Sequence, residues 1–436
     1  MTVLPIDDSQ RISLHNEVHA RPSARIRLPA FILLVGVFNE GITREQEWEH
    51  LQQLQPELSL HEMQGNFVRL RMNDYTLKWE RHTEFTRYSL VQSLPESADL
   101  GAQEPELLSH LKLPQGWLAA IPGRTFSAIK LVMLHADLSD PQLALEQARR
   151  WMGDAPVIAS RMGSPAHSLV ATDFRLRESG FERMLVLAPP GTSMSRAGRI
   201  SQRLLELETY RLMALRGLPV AKLVSVQLGQ AEKELSDIID SLEQRNGNDQ
   251  ALLTRLVSLA AAVERTTAEH AYRFAATAAY DKLVAERIAE LRESAISGTQ
   301  TIGEFMKRRL SPAMATVAAT SQRLASLSER VNRASSLLRT RVDIATEEQN
   351  RVLLEKLTKG QELQLRLQST VEGLSIAAIS YYVVSLLLYA GKAGKAAGLD
   401  IQPELVAGSL IPLVLWAVWK ATRRIHDKLY SQADSH

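Results

Sequence analysis

The stretch that decides the fold of the N-terminal part is NFVRLRMNDYTLKWERHTEFTRYSLV, residues 66–91. Apolar and polar residues alternate along its two runs, 66–72 and 75–91, which is the pattern of half-buried strands. Asn73 and Asp74 separate the runs, and both residue types favour tight turns. The stretch therefore predicts a β-hairpin, in which two extended runs pair antiparallel.

Further extended runs surround this hairpin, and two helices lie between them. The extended runs are 25–38, 58–63, 126–138, 168–176 and 181–188, with turn residues at 178–180. Thr43 and Gln46 form a capping box for a helix over 44–54, and Pro141 suits the first turn of a helix over 141–152. We predict an α+β domain over residues 1–190, built on a largely antiparallel sheet. The order strand, helix, hairpin occurs twice, which an internal duplication would explain, although residue identity does not show one.

The chain from the linker PPGTSM (189–194) to about residue 372 consists almost wholly of helix formers, with breaks at 217–219 and 246–248. A helix over 313–372 would be roughly 90 Å long. A coiled-coil seam runs along part of it, formed by Leu324, Leu327, Val331, Ala334 and Leu338. This apolar stripe needs partners, either the helices of 195–297, other subunits, or both. We expect 195–372 to be a helical, coiled-coil region and the chain to form a homo-oligomer through the 313–372 helix.

Two uncharged segments, 374–390 and 405–419, predict a two-helix transmembrane hairpin over 374–421. Their helices would be roughly 25 and 22 Å long against a ~30 Å hydrocarbon core, so a buried core hairpin is the alternative. Trp416 and Trp419, followed by basic residues, are typical of a membrane interface. Seven basic residues flank the outer ends of the hairpin and two lie in its loop. The positive-inside rule then predicts that the hairpin lies in the inner membrane with both chain termini in the cytoplasm. Residues 422–436 would form a basic cytosolic tail.

Composition excludes several classes of protein. The chain has no cysteine, which rules out disulfides, thiolate zinc sites and cysteine nucleophiles. Its formal net charge of +2 is too balanced for a dedicated nucleic-acid binder. The first residues, MTVLPIDDSQRIS, contain no apolar run, so no signal peptide is expected. We expect the lipid bilayer as a partner, no nucleic acid and no cofactor.

Two short strings concentrate histidine, carboxylate and arginine, and they supply the candidate ligand-binding residues. These are His15, Glu17, His19 and Arg21 in LHNEVHARP (14–22), and Glu80, Arg81, His82 and Glu84 in ERHTE (80–84). Alternate residues of each string would share one face of a strand. Imidazole and carboxylate can ligate divalent metals or act as general acids and bases. The spacing HxExH is not the HExxH of helical zinc enzymes, and no residue is assigned a catalytic role.

Three interpretations of the strings stay open. They can form a polar sheet face with cross-strand ion pairs, a small-ligand or anion pocket that uses Arg21 and Arg81, or a metal or catalytic site. His135 and Asp137 form a further pair at the end of an otherwise apolar strand face. The sequence does not decide whether a metal binds.

Four stretches together resemble a bacterial family of uncharacterised membrane-anchored proteins, the domain-of-unknown-function family 3422. They are LHNEVHARP (14–22), KWERHTEFTRY (78–88), QRLLELETYRLMALRGLP (202–219) and VEGLSIAAISYYVV (371–384). The resemblance covers nearly the whole chain. It implies a two-span C-terminal anchor, and it implies no established activity, substrate or catalytic residue.

The order of a mixed domain, a long helix and two C-terminal spans is also similar to the CorA-type magnesium channels. That resemblance implies a ring oligomer whose first span lines a pore and ends in a Gly-Met-Asn motif. Ala390, Gly391 and Lys392 stand at that point instead, and lysines at the mouth oppose cations. The sequence favours a non-enzymatic membrane-anchored protein whose cytosolic domain binds a ligand or partner. A ring-forming channel or transporter and a metal-dependent enzyme using the histidine and carboxylate strings are the alternatives.

Overall fold

The computed structural model describes residues 8–11, 14–15, 24–58, 65–96, 98, 111–153, 155–244, 248–396 and 402–433. The chain forms two compact units. We call Met1–Ser335 the N-terminal unit and Ser336–His436 the C-terminal unit. Each is described by itself below.

The N-terminal unit begins with two runs of the same order, each a strand, a helix and three further strands. The first run comprises β1 (Ala30–Phe38), α1 (Arg44–Gln52), β2 (Phe67–Arg71), β3 (Tyr75–Arg81) and β4 (Phe85–Ser93). The second comprises β5 (Arg124–His135), α2 (Pro141–Met152), β6 (Ile158–Met162), β7 (Ser168–Thr172) and β8 (Glu182–Ala188). The capping box of Thr43 and Gln46 is present, and Pro141 lies in the first turn of α2, as the sequence predicts.

The strands of the described residues form one sheet in the order β2-β3-β4-β1-β5-β8-β7-β6-β9, where β9 is Ser294–Ala295. All neighbours pair antiparallel except β5 and β8, which are parallel. The predicted sheet with helices is therefore confirmed. The first strand of each run pairs with the last, antiparallel in one run and parallel in the other. The two runs therefore share an order but not the direction of their three-strand meander.

The stretch 75–91 differs from the sequence prediction. It forms two strands, β3 and β4, joined by a turn at 82–84, and not one extended run. The turn contains none of the usual turn residues, and its alternating charges look like strand. The expectation that Glu80, His82 and Glu84 share one strand face was therefore wrong. Strand β6 was not predicted either, because its five residues, IASRM, carry no clear alternation.

After β8 the described chain continues with α3 (Met194–Leu215), α4 (Gly217–Glu243) and α5 (Asp249–Leu291), and after β9 with α6 (Ile302–Arg309) and α7 (Ser311–Ala396). The predicted breaks are found, since a single residue, Arg216, separates α3 from α4, and Asn248 caps the start of α5. Asn248 accepts a hydrogen bond from the backbone N–H of Gln250, which satisfies a donor at the helix start.

The two faces of the sheet are covered in different ways. One face, with α1 and α2, forms a hydrophobic core that includes Trp48, Trp79, Trp117 and Trp151. We call it the apolar face. The opposite face lies under α3, and we call it the charged face. Successive side chains of a strand point to opposite faces of the sheet, so the same strands form both the apolar and the charged face.

The predicted seam on α7 is buried within the N-terminal unit at Leu324, Leu327 and Val331. Leu324 lines a small cavity together with residues of α4 and α5. Arg323 Nη2 also lies 2.8 Å from Glu232 Oε2 on α4. Helices of the same chain therefore cover this part of the stripe, which the sequence left open between intrachain and intersubunit partners.

The C-terminal unit consists of the rest of α7 and of α8 (Pro403–Ala433). Three helical stretches of the described residues are long and apolar enough to cross a membrane: Met194–Glu243, Ile302–Ala396 and Pro403–Arg424. Two of them contain the predicted spans, 374–390 and 405–419.

Candidate functional site

A buried ion-pair cluster occupies the charged face at the β3–β4 hairpin. Lys78 and Glu80 project from β3, and Arg87 lies directly opposite Glu80 on β4. Lys78 Nζ lies 2.9 Å from Glu80 Oε1, and Arg87 Nη2 lies 2.9 Å from Glu80 Oε2. All three residues are buried. One carboxylate therefore serves two buried cations.

The cluster continues into the helices above it. Glu206 of α3 has its Oε1 4.0 Å from Arg87 Nη2, and its Oε2 lies 2.9 Å from Nε of Arg287 on α5. Arg287 also pairs with Glu290, whose Oε2 lies 3.1 Å from Nε of Arg203 on α3. The chain of alternating charges joins the sheet to both helices and begins and ends with a cation.

The protonation of the cluster follows from burial and mutual attraction. Burial alone would raise the pKa of Glu80, but the charges of Arg87 and Lys78 outweigh it and lower that pKa to about 2. Burial lowers the pKa of Lys78, and the adjacent Glu80 opposes that effect. Burial also disfavours the charged guanidinium of Arg87, yet Glu80 and its neighbours raise its pKa. Glu80 is thus ionised at neutral pH, which keeps a negative charge between the two cations.

A pocket with a volume of about 250 Å³ opens between this cluster and α3. We call it the basic pocket. Its lining includes one carboxylate, Glu80, and five cationic side chains, namely Arg25, Arg69, Arg71, Lys78 and Arg87. Apolar side chains from β1, β4 and α3 line the remainder, among them Ile32, Val91 and Leu205. The pocket therefore combines positive charge with an apolar wall, as small-molecule sites often do.

One wall of the basic pocket depends on a close approach of two backbones. The segment before β1 crosses α3, where the N–H of Ile26 donates to the carbonyl of Met194 at 3.1 Å. Gly198 lies under this crossing, and a Cβ there would come within 1.6 Å of the carbonyl oxygen of Ala24. Only glycine fits this contact, which holds Ala24 and Arg25 at the edge of the pocket.

The candidate residues of the 80–84 string are separated from one another. Only Glu80 lines the basic pocket. Arg81 lies on the apolar side of the hairpin, where its Nη1 is 2.5 Å from Glu47 Oε2 and its Nη2 donates to the carbonyl of Ile42 at 2.8 Å. His82 stacks on Phe85 with ring centroids 4.4 Å apart.

Glu84, the last residue of that string, joins the hairpin to the helices. It pairs with Arg273 of α5, and its Oε1 lies 3.7 Å from Nη1 of Arg216. In the other string, His15 is exposed, while Glu17, His19 and Arg21 lie outside the described residues. The structure thus shows no common site for the two strings among the residues it describes.

Metal binding would require several of these side chains to lie close together. Within the described part of the chain, no three side chains of the His, Asp and Glu types come together as a metal would need. Asp137, of the expected His135 pair, instead accepts a hydrogen bond from the N–H of Ser139 at 2.9 Å, which lowers its pKa.

A second buried cluster lies farther along the charged face. Glu182 of β8 faces Glu208 and Arg211 of α3, and Glu208 pairs with Arg211. Burial, together with the adjacent Glu208, raises the pKa of Glu182 to about 9. The carboxyl of Glu182 therefore keeps its proton at neutral pH, which avoids two like charges in one buried space.

The chain is similar to a known protein family. Residues 7–429 match the profile of a family described as protein of unknown function (DUF3422). The chain belongs to this family. Neither the curated proteins nor the solved structures contain a significant match. This match confirms the family that the four quoted stretches resemble, and it assigns no activity to the chain.

Four of the five basic residues of the pocket lie in the stretch 66–91, and the sequence prediction did not assign them to a site. Arg69, Arg71, Lys78 and Arg87 sit at alternate positions of three strands, so they share a face once the strands pair. The signal was the pair Arg69 and Arg71 on one strand, followed by Lys78 and Arg87 on the next two strands. It needed the turn at 82–84 to be recognised, because without it β4 has no fixed register.

Proposed function

We propose that this protein is a membrane-anchored binding protein without enzymatic activity. In this proposal the basic pocket of the N-terminal unit is the ligand site, and 374–390 and 405–419 cross the bilayer. The observation that carries the anchor is the exposure of large apolar side chains along both segments. Water would disfavour such surfaces, whereas lipid accepts them.

The first segment supports the proposal through its exposed residues, which include Tyr381, Tyr382 and Leu386. The second exposes Leu405, Leu413 and Trp416. Neither segment contains a charged residue. Lys420 Nζ lies 4.5 Å from the ring centroid of Trp416, and Arg423 Cζ lies 5.0 Å from that of Trp419. Aromatic rings beside basic residues are typical of the membrane–water interface.

Burial within the C-terminal unit supports a helical hairpin. A Cβ on Gly391 of α7 would lie 3.2 Å from Cβ of Pro403 at the start of α8. Along α8 the buried residues are Pro403, Ala407 and Val414, and Ser380 is buried on α7. This spacing of four and seven is that of one helix stripe facing another. Small residues such as Ala407 and Ser380 allow close packing in membranes.

The third apolar stretch, Met194–Glu243, belongs in our proposal to the N-terminal unit. Its first helix, α3, carries Glu206, which pairs with Arg87 of the sheet and with Arg287 of α5. These pairs would be lost if α3 entered lipid, where charges are costly. Its apolar residues already have a protein surface to cover.

Self-association is a further part of the proposal. Between the buried seam and the first span, α7 exposes Leu353, Leu357, Leu367 and Val371, which follow one heptad register whose intervening positions are occupied by Gly360 and Gln364. The same stretch carries many charged residues, so it is unsuited to lipid. A second copy of this chain, aligned in parallel by the membrane, would cover the stripe. The mass of the detergent-extracted particle, corrected for bound detergent, tests this step, and a monomer would overturn it.

The anchor is tested by alkaline extraction of membranes that contain the full chain. The chain should stay with the membranes, because two spans resist extraction that removes peripheral proteins. Recovery in the supernatant as a folded soluble protein would overturn the proposal.

Orientation can be read from single-cysteine variants, because the natural chain offers no background thiol. Lys395→Cys, between the spans, should react with a membrane-impermeant maleimide in intact cells. Thr358→Cys, before the first span, should react only after the cells are permeabilised. The reverse pattern would contradict the predicted cytosolic placement of the N-terminal unit.

A further inference from the structure

The strand register places like charges next to each other at the basic pocket. Arg69 on β2 lies directly opposite Lys78 on β3, and Arg71 follows two residues along on the same face. Like charges at opposite positions destabilise an antiparallel pair. The pair adds positive charge at the pocket, which a bound anion would offset.

The buried part of the cluster also has more cations than carboxylates. Lys78 and Arg87 share Glu80, and the next carboxylate, Glu206, is 4.0 Å from Arg87 and closer to Arg287. Arg87 is only 3% exposed and lines the pocket. Among the described residues, no acceptor forms a hydrogen bond with its Nε. Two buried cations that share one carboxylate leave an excess of positive charge beside the pocket, which favours an anionic ligand.

The opposite side of the pocket is apolar and selects the rest of the ligand. Ile32 on β1 pairs with Val91 on β4, and Leu205 of α3 closes over them. The pocket has a volume of about 250 Å³, which is more than one inorganic ion occupies. An inorganic ion would fill only part of this space and leave the apolar wall in contact with water.

We propose that the basic pocket binds a small organic anion, whose carboxylate or phosphate group faces Lys78, Arg87 and the rim arginines and whose apolar body lies against Ile32, Val91 and Leu205. The hydroxyl group of Ser89 also lines the pocket and can donate to the anionic group, whereas that of Ser201 donates to the carbonyl of Gly198. This inference deepens the proposed function, because it names the ligand class of the same pocket.

The test is calorimetric titration of the full-length protein in neutral-lipid nanodiscs, with empty nanodiscs as the blank. The probes are phenyl phosphate, inorganic phosphate and benzyl alcohol, which separate the anionic group from the apolar body. Phenyl phosphate should bind at least roughly tenfold more tightly than either of the others, because each part contributes. Equal affinity for phenyl phosphate and inorganic phosphate, or no binding of any probe, would overturn the inference.

Two variants assign the binding to this pocket. Arg71 is exposed at the rim, so Arg71→Gln should leave the fold intact and weaken phenyl phosphate binding roughly tenfold. Lys78→Met should weaken it at least as much, provided that circular dichroism matches the wild type. Arg150→Gln, an exposed position on α2, removes the same charge elsewhere and should bind as the wild type does. Unchanged binding by Arg71→Gln would overturn the assignment, even if Lys78→Met failed to fold.

Replacing part of the neutral lipid with anionic lipid identifies the source of the anion. If anionic lipid weakens the binding of phenyl phosphate to the wild type but not to Arg71→Gln, a lipid head group competes for the pocket. If anionic lipid leaves the binding unchanged, the natural anion is a soluble small molecule. Either result supports an anion site. Failure of the pocket is distinguishable from failure of the anchor, because membrane retention is measured without any ligand.

Discussion

The two units of the chain treat apolar side chains in opposite ways. Of the exposed large apolar side chains in the described residues, 24 lie in the C-terminal unit and eight in the larger N-terminal unit. The N-terminal unit even buries charge, at Lys78, Glu80 and Arg87, while the C-terminal unit leaves leucine and tryptophan outside. The difference supports the proposal that the N-terminal unit folds in water and the C-terminal unit lies in lipid. Four variants can break or sharpen this comparison.

Trp79→Ala tests the apolar face of the N-terminal unit and should have the largest effect. Trp79 is 2% exposed and belongs to the hydrophobic core of the apolar face, so its removal leaves a large cavity. We expect the free energy of unfolding to fall by about 3–5 kcal/mol, measured by urea denaturation of the detergent-solubilised chain. Leu176→Ala, at an exposed position of the same unit, is the control and should change little. Equal effects of both would mean that this face is not the core.

Leu413→Arg tests the solvent of the C-terminal unit. Leu413 is 63% exposed and lies near the middle of the second apolar segment. Arginine at the centre of a span costs about 3–4 kcal/mol relative to leucine, so membrane retention in alkaline extraction should fall. Leu176→Arg is the matched control, because Leu176 is 70% exposed in the N-terminal unit, and it should be retained. Full retention of Leu413→Arg would contradict a lipid environment at this position.

Glu80→Gln tests whether the charged face is held by its ion pairs. Without the carboxylate, Lys78 and Arg87 repel each other in a buried space, and we expect a loss of about 3 kcal/mol in the free energy of unfolding. Adding Lys78→Met should restore part of the loss, because it removes one of the two cations. Glu96→Gln breaks an exposed ion pair with Arg27 and should cost less than ~1 kcal/mol. A cost of Glu80→Gln no larger than that of Glu96→Gln would remove the cluster from the account.

Glu182→Gln tests the second buried cluster through the pH dependence of stability. Burial and Glu208 raise the folded pKa of Glu182 to about 9, above the ordinary 4.5, so the folded chain binds a proton that the unfolded chain releases. This contribution to stability is complete below pH 4.5 and is lost as the pH rises towards 9, at up to ~1.4 kcal/mol per pH unit.

The variant keeps a neutral group at position 182, so its stability should depend less on pH between 5 and 9. Thermal unfolding of wild type and variant across that range measures the difference. Glu178→Gln, in the exposed loop nearby, should keep the wild-type dependence. Parallel pH profiles for wild type and Glu182→Gln would show that Glu182 titrates normally.

Local chemistry made much of this fold predictable. Thr43, Pro141, Gly217 and Asn248 mark helix ends correctly, because caps and breaks depend on a few adjacent residues. The turn at His82 was missed, since its residues satisfy a strand pattern equally well. Local rules also gave the two apolar segments near the C-terminus, because length and composition alone mark them.

The basic pocket was not predictable from local rules, because it depends on strand pairing. Arg69 and Lys78 are nine positions apart in sequence and meet only through the register of β2 and β3. Arg25 reaches the pocket because its segment crosses α3 at Gly198. The parallel pairing of β5 with β8 likewise depends on how the chain returns over α2. Such long-range placement leaves only indirect traces in a single sequence.

The most direct test of the central claim uses the tryptophans, which divide between the two units. Trp48, Trp79, Trp117 and Trp151 are buried in the N-terminal unit, while Trp416 and Trp419 are exposed on α8. Fluorescence of the chain reconstituted in lipid with brominated acyl chains should be partly quenched, because bromine quenches indoles that it touches. Trp416→Phe with Trp419→Phe should abolish that quenching. Absence of quenching in the wild type, or equal quenching in the double variant, would contradict a C-terminal unit that resides in the membrane.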